Sequence, residues 1–190
     1  MDVIQYGGLL NESFCNLIIE KGKSKLEKAS VVGDDEGNRI AENCWLTVEE
    51  VPELKMLKQW IAGTTNTPIE NQENGNVVKY EVGGKYELHF DYFDSNVPIQ
   101  LEEFKNGGNR VWSFLVYLNE GYKGGETYFP EHDLNVKPEL GKGVLWRNTI
   151  DGKPIKEAIH AGNPVIEGTK WIYITWIRET KYINLSLIHI

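Results

Sequence analysis

The sequence predicts a mainly β domain, an antiparallel sandwich or open barrel, with helices in front of it. Helical periodicity is confined to the N-terminal part of the chain, and strand-like segments begin near residue 76. No helical segments separate those strands, as an open parallel sheet would require. With 190 residues, 41% of them hydrophobic, the chain can bury one core. We therefore expect a single domain over residues 1–182, and we expect 183–190 to be a tail outside the fold.

Two amphipathic helices are predicted. The first covers residues 12–23, behind a possible Asn11 cap. The second follows the capping-box pattern of Thr47 and Glu50 and ends at Gly63. Polar loops follow each helix, over 33–43 and 64–76, and each can be read as a lid or as a solvated connector.

Alternating apolar residues and Gly-, Pro- and Asn-rich turns predict a series of strands. They cover 76–82, 86–91, 110–118, 126–129, 143–147, 156–161 and 169–178. A two-residue hairpin turn at Gly83-Gly84 would place Tyr80 opposite Glu87. This register predicts that Tyr80, His89 and Asp91 share one face.

The charge and the apolar segments exclude some functions. The net charge is −8 without a Lys/Arg cluster, which argues against a nucleic-acid partner or an anionic membrane surface. No apolar run approaches the roughly 20 residues that span a bilayer, and no signal peptide is recognisable. We expect a cytoplasmic protein in which Cys15 and Cys44 are core thiols.

A candidate metal site begins with His89 and Asp91. Side chains two positions apart on a strand point the same way, so the pair can bind one ion. Taken alone, the pair is a weak signal and fits surface alternation with an incidental histidine better than a metal site. His160 would complete the two-histidine, one-carboxylate set of non-haem iron oxygenases.

Lys170 is the second feature that suggests a ligand. It shares strand parity with Ile172, Ile174 and Trp176, so its ammonium group would project from an apolar face. A buried lysine is costly unless an anion meets it, and a dicarboxylate would supply that charge. A lysine that snorkels at a strand end is the alternative.

Several ordered motifs extend these observations. The segments "YEVGGKYELHFDYF", "GGNRVWSFLVYLNEGYKGGETYFPE", "VKPELGKGVLWRN" and "IHAGNPVIEGTKWIYITWI" together resemble the catalytic domain of prolyl 4-hydroxylases, which are Fe(II)/2-oxoglutarate-dependent dioxygenases. The resemblance covers about 76–178 and is weaker before it, where "NCWL" matches at 43–46. It implies a double-stranded β-helix (jelly-roll) core with flanking N-terminal helices. It is strongest to free-standing bacterial or viral members, the latter acting inside a host cell.

The resemblance also implies roles for individual residues. His89, Asp91 and His160 would bind Fe(II), and Lys170, Tyr80 and Thr127 would bind 2-oxoglutarate. Three further positions would line the substrate groove, although packing or surface roles are equally open: Arg110, Trp176 and Tyr86. The implied reaction hydroxylates a proline-containing peptide, consumes O₂, releases succinate and CO₂, and can use L-ascorbate as an accessory reductant.

The chain also departs from the family pattern. Arg178 stands where many relatives have histidine, which would change the charge and shape of any substrate contact there. Alternatives are a hydroxylase of another amino acid, peptidyl or free, and a non-catalytic jelly-roll binding module. A nucleic-acid demethylase of the same superfamily would more usually carry arginine at the position of Lys170, and it would need a basic surface.

Overall fold

A computed structural model describes residues 3–29 and 37–183. Part of the polar loop over 33–43 and most of the predicted tail therefore lie outside the described residues. The α-helices are α1 (Glu12–Lys23), α2 (Leu54–Thr65) and α3 (Pro98–Lys105). Short 3₁₀ helices cover Ile69–Asn71, Pro130–His132 and Lys156–Ala158. None of the helices in the described part of the chain is long and apolar enough to cross a membrane.

Helix α1 confirms its prediction. The Asn11 side-chain oxygen accepts a hydrogen bond of 2.9 Å from the Phe14 amide, which caps the first turn. Cys15 and Ile18 are fully buried on its inner face. Both cysteines of the chain are free and buried, as expected.

Helix α2 begins later and ends later than predicted. Thr47 and Glu50 do exchange hydrogen bonds of 3.0 and 3.4 Å, but these bonds close a turn that precedes the helix. The ring of Pro52 disfavours helical geometry at the residue before it, so α2 starts only at Leu54. The helix continues past Gly63, and Asn66 ends it in the left-handed conformation with φ 53°.

The strands form two principal antiparallel sheets. In chain order they are β1 (Ile4–Tyr6), β2 (Glu27–Lys28), β3 (Arg39–Ile40), β4 (Glu42–Leu46), β5 (Gly75–Tyr80), β6 (Lys85–His89), β7 (Arg110–Tyr117), β8 (Lys123–Gly124), β9 (Thr127–Phe129), β10 (Leu134–Val136), β11 (Gly143–Arg147), β12 (Thr149–Ile150), β13 (Lys153–Pro154), β14 (His160–Gly162), β15 (Val165–Glu167) and β16 (Lys170–Arg178). The major sheet has the order β1-β11-β7-β16-β5-β4-β2, and the minor sheet has the order β10-β9-β14-β6-β3.

Two hydrophobic clusters lie on opposite faces of the major sheet. One contains Ile18, Leu57 and Val77 and packs α1 and α2 against the sheet. The other contains Val78, Phe129 and Trp146 and fills the space between the two sheets. Strand alternation explains this division, because Val77 and Val78 are adjacent on β5 and point to opposite faces. The structure thus confirms the jelly-roll core with helices on its outer side.

The predicted hairpin at Gly83-Gly84 is wrong. Strands β5 and β6 belong to different sheets, and Tyr80 pairs with Lys170 on β16 instead of with Glu87. The turn is a corner between the sheets, where the Gly83 amide donates to the Val165 carbonyl at 2.8 Å. Tyr80 and His89 still face the same interior, but they do so from opposite walls.

Two other segments differ from prediction. The segment 156–161 begins with a 3₁₀ turn, so His160 starts strand β14 instead of ending a strand. Helix α3 was not predicted, because its apolar and polar residues are not separated into faces. Pro98 occupies its first turn, where a missing backbone N–H costs nothing.

Candidate active site

The two strands β6 and β14 bring the predicted metal ligands together. His89 ends β6 and is the register partner of His160, which begins β14. Asp91 Oδ1 lies 3.5 Å from His89 Nε2, and Asp91 Oδ2 lies 3.6 Å from His160 Nε2. The ligand atoms of all three residues lie within 4.8 Å of one another. One ion can therefore contact the three side chains.

Backbone carbonyls orient both imidazole rings. His89 Nδ1 lies 2.8 Å from the Glu87 carbonyl, and His160 Nδ1 lies 2.9 Å from the Ala158 carbonyl. A carbonyl only accepts, so each Nδ1 carries the proton and each Nε2 keeps its lone pair. Those lone pairs face the centre of the cluster, which is the arrangement that a metal-binding histidine needs.

A chain of two hydrogen bonds from neutral side chains orients Asp91. The Ser113 hydroxyl donates to Asp91 Oδ2 at 2.5 Å, and Asn148 Nδ2 donates to Ser113 Oγ at 2.8 Å. Burial would raise the pKa of Asp91, but the neighbouring His160 and the hydrogen bond to His89 outweigh burial and lower it. Burial, together with His89, lowers the pKa of His160 to about 4. The cluster therefore offers a carboxylate and neutral imidazole, a donor set that fits Fe(II).

Aromatic rings surround the histidines. Tyr86 stacks on His89 with ring centroids 3.5 Å apart, and Trp146 packs edge-on against His160 at 4.7 Å. Phe129 lies 5.6 Å from the His160 ring. Tyr86, predicted to contact substrate, is therefore part of the wall beside the candidate metal ligand His89.

Lys170 is buried at the inner end of the same cavity. It is 2% exposed, and its Nζ lies 4.9 and 5.6 Å from the ring centroids of Tyr80 and Tyr117. Among the described residues it makes no ion pair. Burial lowers the pKa of Lys170 to about 7, although the Glu126 carboxylate opposes this shift. Gly125, with φ +72°, makes room for Lys170, because a Cβ there would lie 2.9 Å from Lys170 Cδ.

Hydroxyl-bearing side chains line the same part of the cavity as Lys170. Thr127 Oγ1 lies 2.7 Å from the Tyr117 hydroxyl, which also donates to the Val136 carbonyl at 3.1 Å. Tyr80 is 4% exposed, and burial raises its pKa, so the phenol stays protonated. Lys170, Thr127 and Tyr80 all line the cavity. A buried cation beside hydroxyl donors fits a carboxylate ligand.

The outer end of the cavity carries a different cationic group. Arg110 makes a two-point contact with Glu73, at 2.7 and 2.9 Å, and lies 3.8 Å from the centre of the Trp176 ring. Arg178 lies behind Glu73, with Nε 2.6 Å from the Glu73 carboxylate but not aligned for a hydrogen bond. Arg178 also donates to the carbonyls of Glu103 and Gly108 at 3.0 and 2.7 Å. It anchors the end of α3 and does not line the cavity.

One cavity of about 580 Å³ joins these features. All nine predicted site residues line it: His89, Asp91, His160, Lys170, Tyr80, Thr127, Arg110, Trp176 and Tyr86. Sequence reasoning missed Glu73, Ser113 and Asn148, which carry no local motif. Ser113 could have been suspected from strand parity, because it shares a face of β7 with the cavity residue Leu115.

Comparison with known proteins gives consistent matches. The family model described as the 2OG-Fe(II) oxygenase superfamily matches residues 75–178. "Probable prolyl 4-hydroxylase 6" of Arabidopsis thaliana is 32% identical, in a match that covers 96% of this chain and 71% of that protein. "Prolyl 4-hydroxylase subunit alpha-1" of Homo sapiens is 29% identical over 93% of this chain. The chain spans only 34% of the length of that subunit.

Solved structures show the same fold. The viral collagen prolyl hydroxylase of Paramecium Bursaria Chlorella virus-1, in its 2OG complex, superposes with a TM-score of 0.72 at 25% identity. The match covers 94% of this chain and 96% of that one. A prolyl-4-hydroxylase of Pseudomonas putida gives a TM-score of 0.67 at 19% identity, covering 93% and 91% of the two chains.

Proposed function

Because the chain belongs to the 2OG-Fe(II) oxygenase superfamily, we propose that it hydroxylates a prolyl residue within a peptide. The reaction consumes O₂ and 2-oxoglutarate and releases succinate and CO₂. One observation carries the proposal: a complete His-Asp-His cluster and an unpaired buried lysine line the same cavity. The relatives that match over nearly the whole chain are named prolyl hydroxylases, which supports proline as the target.

His89, Asp91 and His160 would hold the iron. The Nε2 atoms of the two histidines and the Asp91 carboxylate converge on one point. Two backbone carbonyls orient the histidine rings, and the Ser113 hydroxyl orients the Asp91 carboxylate. When bound, iron(II) supplies O₂ activation coupled to the decarboxylation of 2-oxoglutarate. The protein supplies the geometry, because three ligands on one side leave the other positions open. A non-catalytic binding module would not need all three ligands.

Lys170 would bind the distal carboxylate of 2-oxoglutarate. Its ammonium group meets no carboxylate of the described chain, and Thr127 and Tyr80 add hydroxyl groups beside it. Fixing the far end of the co-substrate orients the end that reaches the metal. Because Lys170 is buried, such a charge pair would be stronger there than in bulk water.

Arg110, Trp176 and Tyr86 would contact the peptide. Trp176 and Tyr86 present ring surface to the cavity, and Arg110 lies between Glu73 and the Trp176 ring. We further propose that the functional domain is residues 1–182, with its catalytic core at 76–178, and that L-ascorbate serves as an accessory reductant.

The proposal is tested by anaerobic reconstitution with Fe(II) and 2-oxoglutarate. We expect a visible metal-to-ligand charge-transfer band in the wild type, and Lys170→Ala should need more 2-oxoglutarate to develop it. Asp91→Ala should lose peptide hydroxylation, because it removes a ligand and a negative charge from the metal. Absence of the band in wild type at saturating iron and co-substrate would overturn the oxygenase assignment.

The target residue is tested separately. Peptides that differ only in carrying proline, lysine or alanine at one position are incubated with the loaded enzyme, and mass spectrometry detects the added oxygen atom. Oxygen added only to the proline peptide supports prolyl hydroxylation. Oxygen added to the lysine peptide instead would replace proline with lysine as the substrate.

A further inference from the structure

The backbone around Lys170 is fixed from two sides. Lys170 begins β16 and is the register partner of Tyr80 on β5. The Asn119 side chain donates to the Thr169 carbonyl at 2.8 Å and accepts from the Trp171 amide at 2.7 Å, so it holds the residues before and after Lys170. With the backbone held, the flexible side chain of Lys170 alone decides where its ammonium group lies.

That side chain lies beside Gly125, together with the ring of Tyr122. A Cβ at Gly125 would lie 2.9 Å from Lys170 Cδ and 3.1 Å from Tyr122 Cε2, so the lysine stem and the tyrosine ring flank the same glycine. Gly168 makes the remaining room, because a Cβ there would lie 3.0 Å from Tyr122 Cβ. Both glycines have a left-handed φ, +72° and +80°. Two glycines therefore make space for one aromatic ring next to the buried lysine.

Tyr122 lies between Lys170 and the protein surface. Its chain neighbours Gly121 and Lys123 are exposed, and Tyr122 itself is partly exposed. Its hydroxyl group is nevertheless buried and has no hydrogen-bond partner among the described residues. Lys170 lines the cavity, whereas Tyr122 is not among the described residues that do so. The ring of Tyr122 therefore lies behind Lys170 as seen from the cavity.

This packing blocks the other position that the lysine could take. A lysine at a strand end can turn its ammonium group to water while its stem covers apolar surface. Lys170 is the first residue of β16 and follows a turn in which Gly168 is exposed, yet it is only 2% exposed itself. The Tyr122 ring fills the space on the surface side, so the ammonium group stays at the inner end of the cavity, 4.9 Å from the centre of the Tyr80 ring. Tyr122 thus sets the depth of the positive charge.

We propose that Tyr122 is a positioning residue that fixes the depth of Lys170 and so selects the chain length of the dicarboxylate that binds there. The inference rests on the proposed function, in which a 2-oxo acid reaches from the metal ligands to Lys170. Because the ammonium group cannot move back, an acid that is one methylene too long fits poorly, and one methylene changes binding by roughly 10- to 200-fold in a closed site. Without the ring, Lys170 can retract towards the surface and admit the longer acid. The ring has this role and the unpartnered hydroxyl does not.

The test compares 2-oxoglutarate with 2-oxoadipate, which is one methylene longer. Calorimetric titration of the Mn(II)-loaded protein measures both dissociation constants without turnover. Wild type should bind 2-oxoglutarate more tightly, by roughly tenfold or more. Tyr122→Ala should weaken 2-oxoglutarate binding and bring the ratio of the two constants to about one. Tyr122→Phe keeps the ring, removes only the unpartnered hydroxyl, and should keep the wild-type ratio.

Tyr6→Ala is the matched control, because it removes another partly buried ring, packed on Trp60 at 4.8 Å outside the cavity, and should leave the ratio unchanged. Tyr122→Leu keeps apolar bulk and serves where Tyr122→Ala folds poorly, with an intermediate ratio expected. A wild type that binds both acids equally, or a wild-type ratio in both Tyr122→Ala and Tyr122→Leu, would overturn the role of Tyr122 and leave 2-oxoglutarate as the co-substrate. A wild type that binds neither acid would instead overturn the proposed function, together with this inference.

Discussion

The two ends of the cavity differ in whether a buried positive charge is paired with a carboxylate. At the inner end Lys170 is 2% exposed and forms no ion pair among the described residues. At the outer end Arg110 contacts both oxygens of Glu73. Burial lowers the pKa of Lys170 to about 7, whereas for Arg110 the Glu73 carboxylate outweighs burial and raises the pKa.

This difference separates a charge that the fold pairs from one that, in the proposed function, a ligand pairs. Glu73 is itself held firmly, because its carbonyl accepts hydrogen bonds from Lys58 at 2.7 Å and Thr175 at 2.9 Å. An unpaired buried cation lowers stability and persists where function requires it. The inner end is therefore prepared for an anion that the described chain does not supply.

The largest expected effect comes from breaking the paired end. Glu73→Gln leaves Arg110 buried without its carboxylate and leaves Arg178 with only the Glu103 carboxylate, so the free energy of unfolding should fall by about 3–5 kcal/mol. Urea unfolding of the metal-free protein measures this, with exposed Glu70→Gln as the matched control. A loss no larger than in the control would show that Glu73 does not stabilise the fold.

Removing the unpaired charge of Lys170 should have the opposite effect on stability, and should weaken ligand binding. Lys170→Met should weaken 2-oxoglutarate binding roughly 100-fold, about 3 kcal/mol, because a charge-assisted contact is lost. The same change should raise the stability of the ligand-free protein by on the order of 1 kcal/mol. Titration of the charge-transfer band and thermal unfolding measure the two effects.

Lys142 provides the control for that experiment. It is also buried, but it is paired with Glu139 and donates to the Lys137 carbonyl at 3.1 Å. Lys142→Met should leave 2-oxoglutarate affinity unchanged and should not stabilise the protein. If Lys170→Met also left the affinity unchanged, the assignment of Lys170 to the co-substrate would be wrong.

A third buried charge, Asp91, lies between these extremes, because it faces two histidines and accepts a hydrogen bond from the neutral Ser113 hydroxyl. Ser113→Ala removes the hydrogen bond to Oδ2 and should weaken metal binding by roughly 10- to 100-fold. Ser113→Thr keeps a hydroxyl and should restore most of the affinity. Calorimetric titration with Mn(II) measures both variants without turnover, and equal affinity in wild type and Ser113→Ala would exclude this positioning role.

The sequence predicted the chemical groups better than the paths that connect them. His89, Asp91, His160 and Lys170 were identifiable because the motifs around them together resemble one family, whereas the His89–Asp91 pair and the strand parity of Lys170 each allowed a second interpretation. The turn at Gly83-Gly84 was predicted wrongly as a hairpin, because a glycine pair fits both a tight hairpin turn and a corner between two sheets. Choosing between them depends on the long-range pairing of β5 with β16, which no local pattern encodes.

The supporting residues were missed for a related reason. Glu73 and Ser113 are common polar residues whose roles come only from what the fold places against them. Asn76 was read as the start of a strand, and its unpartnered amide is visible only once β4 and β16 are in position. Periodicity indicates that such a residue faces the interior, but it does not indicate which group it meets.

The smallest expected effect is on pH, and it tests the unpaired lysine without mutation. A bound dicarboxylate favours the charged ammonium group, so the pKa of Lys170 should be higher in the complex than its value of about 7 in the free protein. Binding is therefore fully favourable below about pH 7. As the pH rises, a proton must be taken up on binding, and the affinity should fall by roughly tenfold per pH unit, or about 1.4 kcal/mol, until the pKa of the complex is reached.

Measuring the dissociation constant of 2-oxoglutarate by charge-transfer titration from about pH 6.5 to about pH 8.5 checks this sign. The Glu126 carboxylate is the acidic neighbour that raises the pKa of Lys170, so Glu126→Gln should shift the onset of the decline to lower pH. In Lys170→Met the affinity should be weak and flat with pH. A wild-type affinity that is also flat would mean that Lys170 is already charged throughout, as the paired Arg110 is, and the contrast between the two ends of the cavity would disappear.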